Sequence, residues 1–186
     1  MILVFTIVFC AIIALGFGAA SAWSDISQMK IPNLYVVGVA LSFIPAFAVV
    51  TLLAPDVAFF ASWKSHLIAA TLTFGITYIL FTFNLVGGGD SKLRSAYALW
   101  VGTNGLMPLL FGMAVIGGLL GLVTLLLAKW QPVEKPTYGS WIAKSQKGEQ
   151  KVPYGVAIFL GAVLTFWQID YLNPEVIIAL AETNLG

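Results

Sequence analysis

Charged residues are scarce in this sequence. They make up 9% of its 186 residues, whereas an ordinary soluble domain carries roughly 25%. Hydrophobic residues make up 60% of the chain, and the mean hydropathy is +0.95. A chain with so little charge cannot cover a soluble fold with polar surface. The composition therefore excludes the ordinary soluble classes and predicts an integral membrane protein.

Cysteine and histidine each occur only once, as Cys10 and His66. A single cysteine excludes an internal disulfide and any Cys-x-x-Cys zinc pattern. A single histidine leaves a histidine-based metal site without support, and we interpret His66 as an interfacial residue with no catalytic role. The net charge of +1 gives no electrostatic reason to expect a nucleic-acid partner. We expect no metal and no other cofactor.

Long apolar runs make up most of the chain. Residues 95–128 are uncharged over 34 positions, and as one helix they would be about 51 Å long, too long for one crossing. A Gly-Thr-Asn-Gly sequence at 102–105, followed by Pro108, supplies a break in that run. We predict an all-α polytopic membrane protein with about six transmembrane helices, one of them short. The predicted helices are Ile2–Ala22, Ile31–Pro55, Leu67–Val86, the short Asp90–Val101, Leu106–Ala128 and a last one from Val152 to Ile169.

The basic residues predict the orientation of this single domain, residues 1–186. Six crossings place eight of the nine basic residues on one side of the membrane and only Lys64 on the other. The basic side is expected to be cytoplasmic, so both termini are predicted to be periplasmic. The polar segment 129–151, with five lysines, is predicted to be a cytoplasmic loop, and the tail Asp170–Gly186 to lie along the interface. The acids assigned to the periplasmic face are Asp56, Asp170, Glu175 and Glu182.

Two acidic residues lie next to apolar runs on the predicted cytoplasmic face. Asp90 follows three glycines that end one run, and Asp25 lies in the polar link after the first helix. A carboxylate at such a position is costly in a membrane and commonly functional, while glycines permit a sharp turn and close approach of another chain. A simpler interpretation of Asp90 is the N-cap of the next helix.

Both acids return to the same membrane face, so the two carboxylates can meet if the helices form one bundle. Two carboxylates within hydrogen-bonding distance resist joint ionisation, and one of them retains a proton. The ionised carboxylate can then deprotonate a water while the protonated one donates to a scissile carbonyl. The alternative is structural, with each acid forming an ion pair with Lys30, Lys92 or Arg94.

Three motifs in this order resemble those of the prepilin peptidases of the Gly-x-Gly-Asp aspartyl type, peptidase family A24. Along the chain they are Asp25 with Lys30-Ile31-Pro32-Asn33, then Gly87-Gly88-Gly89-Asp90 with Lys92-Leu93, and then Val152-Pro153-Tyr154-Gly155. Full-length members carry an N-terminal methyltransferase domain, usually with a four-cysteine zinc site. The sequence resembles instead the small TadV/CpaA-like form without that domain.

The resemblance implies that Asp25 and Asp90 are the catalytic pair of a membrane endopeptidase. It implies cleavage of the leader peptide of type IV prepilins, of the Flp/Tad type, at the cytoplasmic face of the bacterial inner membrane. The implied partners are a prepilin or pseudopilin and the lipid bilayer. The motif residues with supporting roles are Gly87 and Gly89 for backbone shape, Lys30 and Lys92 as cationic anchors, Pro32 at a helix start, and Asn33 near Asp25.

Two other functions are compatible with two intramembrane acids. Intramembrane proteases of the presenilin or signal-peptide-peptidase kind share Gly-x-Gly-Asp, but they place a tyrosine before the first aspartate, where this sequence has Ser24. A non-enzymatic proton or ion pathway subunit could use Asp25 and Asp90 as proton relays. No acid lies in the middle of a predicted span and no internal repeat is present, which disfavours that function.

Overall fold

A computed structural model describes residues 2–55 and 59–183 of the chain. These residues form seven α-helices and no β-strand, which confirms the predicted all-α class. The helices are α1 (Ile2–Gln28), α2 (Asn33–Leu53), α3 (Trp63–Thr82), α4 (Gly88–Trp130), α5 (Trp141–Gln146), α6 (Tyr154–Gln168) and α7 (Pro174–Thr183). Asp56 and the side chain of Glu182, which were assigned to the periplasmic face, lie outside the described part.

Four of the described helices, α1 to α4, are long and apolar enough to cross a membrane, and α6 is a shorter apolar helix. Their outer faces expose large apolar side chains, such as Phe5, Phe111 and Leu122. Lipid tails are a favourable environment for such side chains, whereas water is not. The chain is therefore an all-α polytopic membrane protein.

Helix α4 is interrupted at Gly102, whose φ of 63° and ψ of −170° are not helical. The sequence predicted a break at this glycine, but the helix resumes at once and Pro108 lies inside it, so the second half begins earlier than the predicted Leu106. We call the two halves the front segment, 88–101, and the return segment, 103–130.

The return segment runs back toward the beginning of α4. A Cβ on Gly112 would lie 3.3 Å from the Gly161 Cα of α6, and one on Gly117 would lie 3.0 Å from the Tyr154 ring at the start of α6. Because Leu99 of the front segment contacts His66 of α3 and the return segment lies along α6, α4 forms a hairpin within the bundle. Counting its two segments separately gives four long apolar helical segments and two shorter ones, the front segment and α6, in agreement with the predicted number of about six.

The core lies where the front segment crosses α1, α2 and α6. Its largest fully buried side chains include Trp100, Tyr97 and Phe166. Tyr97 Oη donates to the Ala14 carbonyl oxygen at 2.9 Å, and Trp100 Nε1 donates to the Val39 carbonyl oxygen at 2.8 Å. Buried aromatic side chains that also satisfy their polar atoms fix the front segment against its neighbours.

Two predicted boundaries are wrong in ways that matter for the site. Helix α1 does not end at Ala22 but continues to Gln28, so Asp25 lies in its last two turns and not in a polar link. The apolar pattern could not reveal this because polar residues can continue a helix beyond the apolar run. Helix α3 begins at Trp63 and ends at Thr82, four residues before the predicted Leu67 and Val86, which leaves a loop before Gly87.

The polar segment 129–151 is not a continuous loop. Helix α4 continues to Trp130, and α5 forms within the segment. Trp141 is buried and its Nε1 donates to Thr124 Oγ1 at 3.1 Å, which packs α5 against the end of α4. Ser140 caps α5 by accepting from the Ala143 N–H at 3.2 Å. The tail also contains a helix, α7, which packs against the beginning of α1.

Candidate active site

Asp25 lies near the end of α1, and its side chain is only 6% exposed. Its Oδ2 accepts a hydrogen bond of 2.7 Å from the backbone N–H of Gly155. Gly155 is the second residue of α6, where backbone N–H groups have no partner inside the helix. The positive end of the α6 dipole therefore faces the carboxylate and favours its ionised form.

Asp90 is the third residue of α4, and the N-cap of that helix is Gly87. The interpretation of Asp90 as the N-cap is therefore wrong. Its carboxylate instead lies over the N-cap residue. A Cβ built on Gly87 would be only 2.7 Å from Asp90 Oδ2. Asp90 thus also lies at a helix N-terminus, the end that favours negative charge.

The two aspartates come together at the junction of two cavities, and both line each cavity. Asp90 interacts electrostatically with Asp25. The larger cavity has a volume of about 890 Å³ and lies between the end of α3, the return segment and the residues around α5. The smaller, of about 520 Å³, lies between the α1–α2 link and the glycine turn. A chain that passed from one cavity to the other would cross the two carboxylates.

Glycines surround the pair because there is no room for a side chain. A Cβ on Gly89 would lie 3.0 Å from Ile31 Cβ, and one on Gly155 would lie 3.0 Å from Asp25 Oδ2. Gly87 has a φ of −68°, which any residue can adopt, so its requirement for glycine is also steric. Gly87 and Gly155 are thus required by the close approach of a carboxylate, and Gly89 by the close approach of Ile31.

The motif residues on the α1–α2 link hold that link against the glycine turn. Ser24 Oγ donates to the Lys30 carbonyl oxygen at 2.8 Å, and Pro32 is the N-cap of α2. Lys92 Nζ donates to Asn33 Oδ1 at 3.1 Å, so these two motif residues join the starts of α2 and α4. Lys30, Pro32 and Asn33 all line the smaller cavity, which brings them close to both aspartates.

The ion pairs expected under the structural alternative are not present among residues 2–55 and 59–183. The one ion pair there joins Lys151 Nζ to Glu149 Oε2 at 3.9 Å. Asp25 and Asp90 are therefore left without a close cation in the described structure, and each faces cavity space. Such unpaired carboxylates are a typical feature of functional sites.

Two cations face the pair at longer range, and the sequence pattern assigned a direct role to neither. Arg94, one turn after Asp90, interacts electrostatically with it, and Arg94 Nε has no hydrogen-bond partner within the described chain. Lys144 of α5 interacts in the same way with Asp25. Both side chains line the larger cavity. The packing of α5, which the sequence did not predict, brings Lys144 there.

Gly155 is the residue at this site whose role the sequence did not indicate. Its motif, 152–155, was noted as a family signature without any structural role. The structure places it against Asp25 although 130 positions separate the two in the chain. A glycine that begins an apolar helix after a proline was the available signal, because it marks a helix N-terminus with room for close approach.

The arrangement can perform acid–base chemistry on a peptide bond. Two neighbouring carboxylates at helix N-termini can divide the roles of proton acceptor and proton donor. No group of three or more potential metal ligands among His, Cys, Asp and Glu occurs in the described residues. The two carboxylates are thus the chemically reactive groups that the junction of the cavities presents.

Comparison with known proteins identifies one family. A sequence model described as the type IV leader peptidase family matches residues 11–122. The match includes both aspartates and the glycine turn, and it ends before Gly155. Neither the curated proteins nor the solved structures contain a match to the chain.

Proposed function

The chain belongs to the type IV leader peptidase family, and we propose that it cleaves the leader peptide of type IV prepilins with Asp25 and Asp90 as the catalytic pair. The observation that carries this proposal is that both carboxylates line the same two cavities and form no ion pair with any residue that the structure describes. Family membership makes it a peptidase, while the identity of its catalytic residues rests on this geometry.

The proposed reaction uses one ionised and one protonated carboxylate. The ionised member takes a proton from a water, whose oxygen then attacks the carbonyl carbon of the scissile peptide bond. The protonated member donates to the carbonyl oxygen, which gives a neutral tetrahedral intermediate. The C–N bond breaks as a proton returns to the leaving nitrogen. No covalent enzyme intermediate is formed.

The surroundings of the two carboxylates favour Asp25 as the ionised member. Asp25 accepts the 2.7 Å bond from Gly155 at the start of α6, whereas the backbone hydrogen bond of Asp90 is with Gly87 of its own helix cap, and the charge of Asp25 opposes ionisation of Asp90. Hydrogen bonds from N–H groups stabilise the charged form of a carboxylate. Asp90 would then hold the shared proton and donate it to the substrate carbonyl.

The proposed substrate is an Flp/Tad-type prepilin, which is what the resemblance to the small TadV/CpaA-like form implies. Cleavage would occur at the cytoplasmic face of the bacterial inner membrane, with both termini of the enzyme periplasmic. The skewed distribution of basic residues supports this orientation. Protease added to inside-out vesicles would then cut the 129–151 segment, and cutting from the opposite side only would contradict the orientation.

Cleavage is proposed to need no metal, and this chain is proposed not to methylate the product. One cysteine cannot form a four-cysteine zinc site, and a carboxylate pair activates water without a metal. Cleavage by the purified protein would therefore survive a chelator. Activity that disappeared with the chelator and returned with added metal would contradict the carboxylate mechanism.

Cleavage of a tagged prepilin by the protein in lipid vesicles tests the main proposal. Asp25→Asn and Asp90→Asn keep the shape of the side chain but cannot exchange the proton, so each is expected to lose at least about 10³-fold in rate. Asp170→Asn is the matched control, because Asp170 lies after α6 at the opposite end of the bundle. Cleavage by either dyad variant at a rate near that of the control would refute the assignment.

A further inference from the structure

The break in α4 frees two backbone groups that would bond each other in a continuous helix. These are the carbonyl of Leu99 and the N–H of Thr103, four residues later. The positive φ and extended ψ of Gly102 turn the Thr103 N–H away from the axis of the front segment. Unpaired backbone groups inside a bundle are costly, so each needs another partner.

Two consecutive residues of α3 supply both partners. Thr103 N–H donates to Ser65 Oγ at 3.0 Å, and His66 Nδ1 lies 2.8 Å from the Leu99 carbonyl oxygen. Because a carbonyl oxygen only accepts, the hydrogen is on Nδ1. Ser65 Oγ also lies 2.7 Å from Thr103 Oγ1. The His66 imidazole therefore donates to the Leu99 carbonyl and the Ser65 hydroxyl accepts from the Thr103 N–H, so both backbone groups of the missing helical hydrogen bond have a partner.

The surroundings of His66 hold its ring in place. The side chain is 1% exposed and its ring centroid lies 4.8 Å from that of Phe43, 5.6 Å from that of Phe47 and 5.8 Å from that of Phe60. A Cβ on Gly102 would lie 3.0 Å from Ser65 Oγ and 3.3 Å from the imidazole. His66 is thus a buried part of the bend, packed among aromatic rings.

We propose that Ser65 and His66 are positioning residues, which hold the bend of α4 at Gly102 and thereby fix Asp90 beside Asp25. Asp90 lies twelve residues before Gly102, which corresponds to about 18 Å along a helix. A change of about 10° in the bend would move the start of the helix by about 3 Å over that length. Misplacing a catalytic group by about 1 Å can cost about 10²-fold in rate.

The test compares His66→Asn, His66→Gln and His66→Leu. An asparagine amide nitrogen occupies nearly the position of Nδ1 and can donate to the Leu99 carbonyl, whereas a glutamine amide nitrogen lies nearer the position of Nε2. We expect His66→Leu and His66→Gln to cleave about tenfold or more slowly. We expect His66→Asn to retain most of the cleavage rate that His66→Leu and His66→Gln lose. A requirement for side-chain volume alone would not explain that result.

A second measurement reports the geometry without using activity. Lys92 Nζ lies 3.1 Å from Asn33 Oδ1 across the starts of α4 and α2, so Lys92→Cys with Asn33→Cys, in a Cys10→Ala background, is expected to be joined by a short bifunctional thiol reagent. His66→Leu is expected to lose this cross-link and His66→Asn to retain it. The control pair is Phe17→Cys with Tyr35→Cys, which replaces two rings whose centroids lie 6.2 Å apart between α1 and α2. It is expected to be joined by the same reagent and to respond to neither variant.

Only the cleavage measurement of this proposal rests on the proposed function, because the cross-link forms without a substrate. The two measurements therefore distinguish failure of the positioning role from failure of the proposed function. Loss of the cross-link in His66→Leu supports the positioning role even if no prepilin is cleaved by the parent protein. If His66→Leu does not insert stably, Ser65→Ala removes only the acceptor for Thr103 and is expected to weaken the cross-link in the same direction. The proposal is overturned if the cross-link and cleavage are unchanged in these variants, or if His66→Gln restores them as well as His66→Asn.

Discussion

The two ends of the front segment of α4 are built in opposite ways. At the bend, the backbone groups freed at Gly102 find partners in Ser65 and His66, and aromatic rings close around them. At the other end, Asp90 faces two cavities and forms no ion pair in the described structure. The end at Gly102, which we call the closed end, can hold the helix in position. The end at Asp90, which we call the open end, has room for a substrate.

The glycines show the same contrast. Gly102 is required by its positive φ at the bend. Gly87 and Gly155 have no such backbone requirement and are needed because the aspartates approach them closely. A glycine at the closed end therefore shapes the chain, and a glycine at the open end leaves space for a carboxylate.

Among changes that test this contrast between the two ends, the largest effect is expected for alanine at Gly87 and Gly155, the two glycines of the open end. In Gly87→Ala and Gly155→Ala the new methyl group would lie 2.7 and 3.0 Å from an aspartate oxygen, so the carboxylate must move. We expect cleavage to fall by about 10²-fold with membrane insertion unchanged. Gly118→Ala is the control, because a Cβ there meets nothing within 4 Å. Equal rates for all three variants would show that the carboxylates tolerate displacement.

A smaller effect is expected at Arg94. Its charge interacts with Asp90, and a nearby cation favours an ionised carboxylate. In Arg94→Gln the proton that Asp90 must donate is held more firmly, so the alkaline limb of the pH–rate profile is expected to move to higher pH by about one unit, which is about a tenfold change in rate on that limb. Arg94→Lys retains the charge and the profile, and Lys64→Gln removes a distant charge. If the pH–rate profile does not move in Arg94→Gln, the charge of Arg94 does not affect the ionisation of the two carboxylates.

The smallest effect is expected at the hydrogen bond between Lys92 and Asn33. This bond is solvent-exposed, and exposed polar contacts of this kind contribute about 0–1 kcal/mol. Asn33→Ala is therefore expected to leave the thermal unfolding temperature and the cleavage rate almost unchanged, with Asn84→Ala, in the loop beside the larger cavity, as a comparison. A loss of about tenfold or more in cleavage would show that Asn33 contacts the substrate or the carboxylates.

The sequence predicted much of the fold because hydropathy and helix-breaking residues determine the number and order of spans. It predicted the break at Gly102, since a charge-free run of that length cannot be one straight crossing. It also predicted that Asp25 and Asp90 share a face, because an even number of crossings separates them. These inferences need only local composition and the thickness of a bilayer.

The remaining features depend on contacts between distant segments. No local pattern indicates that Gly155 bonds to Asp25 or that His66 bonds to Leu99, because such partners are chosen by packing. The end of α1 was placed too early since polar residues beyond an apolar run can remain helical, and α5 was missed because a six-residue helix is stabilised mainly by the burial of Trp141. The residues that position the site are thus harder to find from the sequence than the aspartates themselves.

The central claim is that Asp25 and Asp90 act as one unit, and the cleavage rates of Asp25→Asn, Asp90→Asn and the double variant test it most directly. If the two carboxylates share one reaction step, either substitution removes that step, so the double variant is expected to be no slower than the slower single variant. Asp25→Asn with substantial remaining cleavage, or a double variant whose loss equals the product of the two single losses, would contradict the claim.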